Sequence, residues 1–145
     1  MSFAYFDTSA LVKRYVRERG SAQVRFLLRR YDFLSSAITP VELLSALGRK
    51  KRTGDVSEKE FSTLVSRIQS ERLRWELVEV TGSILSRAEE VIQGALPLRA
   101  LDALHVVSSM AFQAATAVEI PFVTGDGRQR DAAKQLGMDV AWVGE

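Results

Sequence analysis

Cysteine is absent from these 145 residues. That excludes disulfides, thiolate metal sites and cysteine nucleophiles, and it makes the cytosol the expected location. Histidine occurs once, at His105, so a multi-histidine zinc site cannot be built within one chain. No apolar run approaches the roughly 20 residues that span a bilayer. The N-terminus lacks a basic segment followed by a long apolar stretch, so no secretory leader and no membrane partner are expected. Repeats, low-complexity segments and linkers are missing too. Neither sign of charge dominates: Lys plus Arg is 20 and Asp plus Glu is 18, a formal charge of +2.

What remains is 46% hydrophobic and 26% charged, enough for one domain over residues 1–145 with its own core. Short apolar runs alternate with segments of helical period. The pattern predicts strands near 3–6, 33–38, 77–80, 120–123 and 140–143. It predicts helices near 9–17, 21–31, 39–53, 57–74, 82–95, 99–114 and 127–136. Thr39 and Pro40 suit an N-cap and a first helical position. Ser57 and Glu60 form a capping box, and Pro97 breaks a helix. Strands separated by helices imply an α/β fold. The expectation is a three-layer α/β/α sandwich with a central, mainly parallel sheet and a helical hairpin inserted at 39–74. Leu43, Leu44, Leu47, Phe61, Leu64, Val65 and Ile68 are more apolar residues than the hairpin needs for itself. They predict a leftover face that suits a partner helix.

Four acids stand in apolar surroundings. Asp7 follows Phe3-Ala4-Tyr5-Phe6, and Asp126 follows Phe122-Val123-Thr124-Gly125. Glu42 stands beside Val41, Leu43 and Leu44, and Asp102 interrupts Ala100-Leu101-Asp102-Ala103-Leu104. Ionised carboxylates are rare in such places unless something pairs with them. Each also has a plain reading. Asp7 and Asp126 can cap the helices that follow, and Glu42 can reach back to the Thr39 amide in a capping box. Asp102 can pair with Arg99 or hydrogen-bond His105. If the fold gathers all four, their repulsion calls for a hard divalent cation. In open parallel sheets ligands bind beyond the carboxyl ends of the strands, where Asp7 and Asp126 fall. The block Arg49, Lys50, Lys51 and Arg52 is a candidate for holding phosphates, or a set of charges closing a helix against its dipole.

The segments Phe6-Asp7-Thr8-Ser9-Ala10-Leu11-Val12-Lys13, Thr39-Pro40-Val41-Glu42-Leu43, Leu98-Arg99-Ala100-Leu101-Asp102-Ala103-Leu104-His105 and Phe122-Val123-Thr124-Gly125-Asp126 together resemble the motifs of PIN-domain nucleases, in order and over essentially the whole chain. They look most like the VapC-type toxins of toxin–antitoxin pairs. The resemblance implies an endoribonuclease dependent on Mg²⁺ or Mn²⁺, with Asp7, Glu42, Asp102 and Asp126 on the catalytic acidic quartet. Asp7, Asp102 and Asp126 fall on metal positions, and Thr8, Ser9 and Thr124 on supporting hydroxyls. It also implies a homodimer and an antitoxin whose C-terminal segment blocks the groove. One departure is visible: where relatives often carry leucine three residues after the last acid, this chain has Gln129, with Asp131 shortly beyond. Two other readings are a catalytically silent module of the same fold that binds RNA or protein, and a phospho-receiver domain. A receiver gathers adjacent acids after its first strand, whereas Asp7 is followed by Thr8 and Ser9.

Overall fold

Strand β1 (Phe3–Phe6) occupies the middle of the sheet, and Ala4, Tyr5 and Phe6 are fully buried. A strand covered on both faces has no polar side to spare, which is why this segment reads as a continuous apolar run. In the computed structural model, which describes residues 2–144, β1 pairs in parallel with β2 (Asp32–Ser36) and with β4 (Phe122–Thr124). Outside these lie β3 (Glu76–Val78) and β5 (Val140–Trp142), also parallel. The order is β3-β2-β1-β4-β5. The chain steps outward from β1 to β3, then returns to the other side of β1 as β4. The β1–β4 boundary is therefore the point where winding reverses, the place where such sheets open a crevice.

Helices fill every crossover. Helices α1 (Thr8–Tyr15) and α2 (Ser21–Arg30) link β1 to β2. Helices α3 (Thr39–Arg52) and α4 (Glu58–Glu71), followed by a 3-10 turn at Arg72–Arg74, link β2 to β3. Helices α5 (Gly82–Gln93) and α6 (Ala100–Thr116) lead to β4, and α7 (Gly127–Gln135) leads to β5. Side chains alternate along β1. Tyr5 joins Leu34, Phe122, Ile84, Val106 and Ala132 on one face. Ala4 and Phe6 join Ala10, Val24 and Val123 on the other. The result is the expected three-layer sandwich. Gly20 sits at φ 90°, and a Cβ there would collide with the Val143 carbonyl oxygen, so only glycine lets the last strand close over this turn.

The hairpin differs from its expectation. Leu43, Leu47 and Ile68 are fully buried, packed with Leu11, Val12 and Tyr15 of α1. Burying each such side chain stabilises by about 1.5–3 kcal/mol. Leu44, Phe61, Leu64 and Val65 are half-buried. Helix α1 thus takes the apolar face that the sequence left for a partner, and the large apolar side chains exposed on this segment are Val41 and Leu73. A polar clamp secures the contact. The Glu71 carboxylate accepts from Arg14 Nε and Nη2, from Tyr15 Oη at 2.6 Å and from Arg67 Nε. Burial alone would raise the Glu71 pKa, but these donors outweigh it and hold it at about 2.

Candidate active site

Asp7 ends β1 and caps α1. Its Oδ1 accepts from the Ala10 amide at 3.0 Å and the Ser9 hydroxyl at 2.6 Å, and its Oδ2 accepts from the Thr124 hydroxyl at 2.6 Å. The residue is 0% exposed. Burial raises its pKa, against His105 and the three donors, which act to lower it. The same hydroxyls stitch the switch point together: Gly125 donates its amide to Ser9, and Asp126 donates its amide to Thr124. β1 and β4 are thereby locked where their carboxyl ends meet.

Asp126 follows that lock and caps α7. Its Oδ1 accepts from the amides of Arg128 at 2.9 Å and Gln129 at 3.1 Å. Asp102 sits in the first turn of α6, where its Oδ2 accepts from the Arg99 amide at 3.2 Å and lies 3.8 Å from Arg99 Nε. Its Oδ1 faces Gln129 Nε2 at the long distance of 3.4 Å.

Glu42 does not cap its helix. Ile38 precedes α3 with φ −79° and ψ −16°, and Thr39 turns its hydroxyl back to the Ser36 amide. The Glu42 side chain instead crosses to Thr8 and His105: its Oε1 accepts from Thr8 Oγ1 at 2.7 Å and lies 2.6 Å from His105 Nε2. Burial acts to raise the Glu42 pKa. The bond from His105, the charge that ring carries when protonated, Thr8 and Arg49 together bring it below the ordinary carboxylate value. Of the two plain partners for Asp102, Arg99 is the one present; His105 is paired with Glu42 and Tyr5, whose Oη lies 2.8 Å from Nδ1.

Glu42, Asp102 and Asp126 line one open cleft of about 520 Å³, together with Thr8, Ser9 and Gln129. Helices α3 and α6 and the N-cap of α7 supply these acids, and Asp7 lies one hydrogen bond behind the wall, through Ser9. Of the basic block, Arg49 lines the cleft, as does Arg99 from the opposite side of the sequence. Lys50 reaches Glu18 at 3.5 Å, Lys51 lies over the Phe61 ring at 4.5 Å, and Arg52 is exposed. Asp131 is exposed and pairs with Arg130.

The donor set is carboxylate and hydroxyl oxygen, the chemistry of hard divalent cations. Among the described residues no three acidic or histidine side chains are gathered tightly enough to enclose an ion. Mg²⁺ keeps several waters and is ordinarily held by one or two carboxylates, so it does not require such a cage.

Two participants were not singled out from the sequence. Tyr5 reads as one more apolar strand residue, and nothing in its spacing announces the bond to His105. Gln129 had a signal: a polar residue where relatives often carry leucine. It is 4% exposed and bridges the start of α7 to Asp102.

Fold and cleft define a class, parallel α/β domains with an acid-lined crevice at the switch point. The chain belongs to the PIN domain family, whose match spans residues 4–135. Ribonuclease VapC46 of Mycobacterium tuberculosis is 32% identical over 142 residues, covering 97% of both chains. Two solved structures share the fold. VapBC2 from Rickettsia felis bound to a DNA fragment from their promoter aligns with TM-score 0.64 and 14% identity, over 96% of this chain and 97% of that one. A toxin–antitoxin complex from Klebsiella pneumoniae aligns with TM-score 0.59 and 16% identity, over 85% and 86%. No helix among the described residues is long and apolar enough to cross a membrane.

Proposed function

We propose that this protein is a metal-dependent endoribonuclease, the toxin of a toxin–antitoxin pair, that hydrolyses RNA phosphodiester bonds in the acid cleft. The observation that carries the reading is the convergence of Glu42 from α3, Asp102 from α6 and Asp126 from the cap of α7 on one cleft at the carboxyl edge of the sheet. The 32% identity to a named ribonuclease over nearly the whole chain supports the choice of substrate.

Asp102 and Asp126 would hold Mg²⁺ or Mn²⁺, with Asp7 as a third carboxylate behind the Ser9 hydroxyl. The ion, when bound, supplies positive charge at the phosphate oxygens and makes a water more acidic. The side chains do the rest. Glu42 Oε1 is taken by Thr8 and His105, which leaves Oε2 to accept a proton from, or orient, a water in the cleft. Arg49 and Arg99 flank the acids and are placed to hold the RNA phosphates on either side. Val41 and Leu101 are exposed on the rim of the cleft. An antitoxin segment presenting a basic side chain between apolar ones would match both features and block entry.

Purified protein with single-stranded RNA tests this. Cleavage is expected with Mg²⁺, is lost in excess chelator and returns with Mg²⁺ or Mn²⁺. Asp102→Asn should keep the fold and lower the rate about 100-fold. Full activity of folded Asp102→Asn would reject the assignment.

A further inference from the structure

One chain of hydrogen bonds runs from the middle of the sheet to the wall of the cleft. We propose that Tyr5 and His105 are positioning residues that hold Glu42 at the wall of the cleft and set the cleavage rate through that side chain. The inference rests on the nuclease reading above and names how one acid of that site is kept in place.

Glutamate has three side-chain torsions, and a half-exposed one ordinarily samples many positions. Here the carboxylate is fixed by a path that begins in the middle of the sheet. The Tyr5 ring stacks on Phe122 with centroids 5.4 Å apart and planes 6° apart, and it meets His105 edge-on at 5.8 Å. Tyr5 Oη and His105 Nδ1 are 2.8 Å apart, and His105 Nε2 and Glu42 Oε1 are 2.6 Å apart. Direction follows from valence. A carboxylate can only accept, so Nε2 carries the bridging proton whatever the charge of the ring. With the ring neutral, Nδ1 has no hydrogen and the Tyr5 hydroxyl donates to it. Losing the phenol leaves Nδ1 without its partner, so the ring is oriented only from the Glu42 and Thr8 side and Glu42 loses its tie to the sheet.

His105 borders the cleft but is only 1% exposed, and Tyr5 is 0% exposed, so a core histidine satisfied by its neighbours is the plain alternative. The path does not end in the core. It ends on a side chain that lines the cleft, and on the one oxygen that Thr8 also holds, which leaves the other oxygen outside these bonds. That termination is what a merely structural pair would lack.

The experiment uses Tyr5→Phe, which removes one oxygen and keeps the ring. Steady-state cleavage of a short RNA should show kcat reduced about tenfold with KM within about twofold of wild type. His105→Gln, whose amide can still donate at the Nε2 position, should retain several times the rate of His105→Leu. The single histidine gives one imidazole in a ¹⁵N spectrum, and at neutral pH that spectrum should show Nε2 protonated. Unchanged kcat in folded Tyr5→Phe, equal loss in the two His105 variants, or a wild-type ring with a bare Nε2 each overturns the proposal. If wild-type protein cleaves no RNA, the nuclease reading fails while the imidazole spectrum still decides whether the path exists. If Tyr5→Phe does not fold, the His105 pair and the spectrum decide alone.

Discussion

Asp7 and Glu42 hold neighbouring hydroxyls, Ser9 for one and Thr8 for the other, yet their carboxyls are pushed in opposite directions. For Asp7, burial outweighs its donors and the pKa rises. For Glu42, burial is outweighed by His105, Thr8 and Arg49, and the pKa falls. Opposed shifts in one site are how a fold separates the duties of like groups. The sign of the Asp7 shift has a consequence for stability. A carboxyl whose folded pKa is raised favours the fold below its unfolded value and loses that contribution as pH rises through the folded value. At neutral pH Asp7 is therefore a cost to the fold. Asp7→Asn should lose cleavage yet unfold at or above the wild-type temperature at pH 7, with a gain of about 1 kcal/mol. Thermal melts should show the gain shrinking as pH falls toward the range where Asp7 protonates. A variant less stable than wild type at every pH would contradict this account. The acids themselves were legible in the sequence because each breaks an apolar run. Tyr5 was not, because a buried phenol and a buried phenyl look alike until the partner at position 105 is placed in space.

Helix ends carry two of the cleft acids, and those acids also cap. Asp126 holds the amides of Arg128 and Gln129, and Asp102 holds the amide of Arg99. Capping and chemistry can be separated by substitution. Asparagine caps about as well as aspartate, whereas alanine costs about 1 kcal/mol. Asp126→Asn and Asp126→Ala should lose activity alike, while urea unfolding shows only the alanine variant destabilised. Equal stability of the two would mean the cap at α7 is not worth its usual value. Element order, the Ser57–Glu60 capping box and the carboxyl edge of the sheet could all be read from period and composition. The assignment of the second acidic cap could not. Sequence spacing offered it to Glu42 at the start of α3 as the plain reading of that acid, and the structure has it on Asp102 at the start of α6. The reason is local. Residue 38 adopts a helical rather than extended backbone, so Thr39 is already inside the helix and its amide is not the open N-cap donor that Glu42 would need.

At the scale of the molecule, a modest net charge of +2 hides an uneven distribution. Arg49 and Arg99 lie at the cleft, and Lys50 and Lys51 are engaged with Glu18 and Phe61. The basic block that looked uniform in sequence is divided because successive helix residues point about 100° apart. Arg49→Gln should therefore weaken RNA binding and reduce the slope of log affinity against log salt by about 0.7, the value for one phosphate contact on a single strand. Lys50→Gln with Lys51→Gln should leave that slope nearly unchanged. A filter-binding titration over a range of salt checks both. A larger loss of slope in the lysine double variant would put the RNA path along the outer face of α3. The order of strands in the sheet was beyond the sequence, because β3, β4 and β5 are three residues each and so short a run carries no preference for a neighbour.

The hydroxyl of Thr124 reaches the Asp7 carboxylate across 117 positions of chain. Protein is made from its N-terminus at about 5–20 residues per second, so the first cleft element waits many seconds for its partner. Until β4 emerges, β1 lacks one neighbour, Asp7 lacks the donor on its Oδ2, and neither Asp126 nor Gln129 exists to complete the wall. A growing chain attached to the ribosome thus carries no finished cleft until residues 124–129 have been translated.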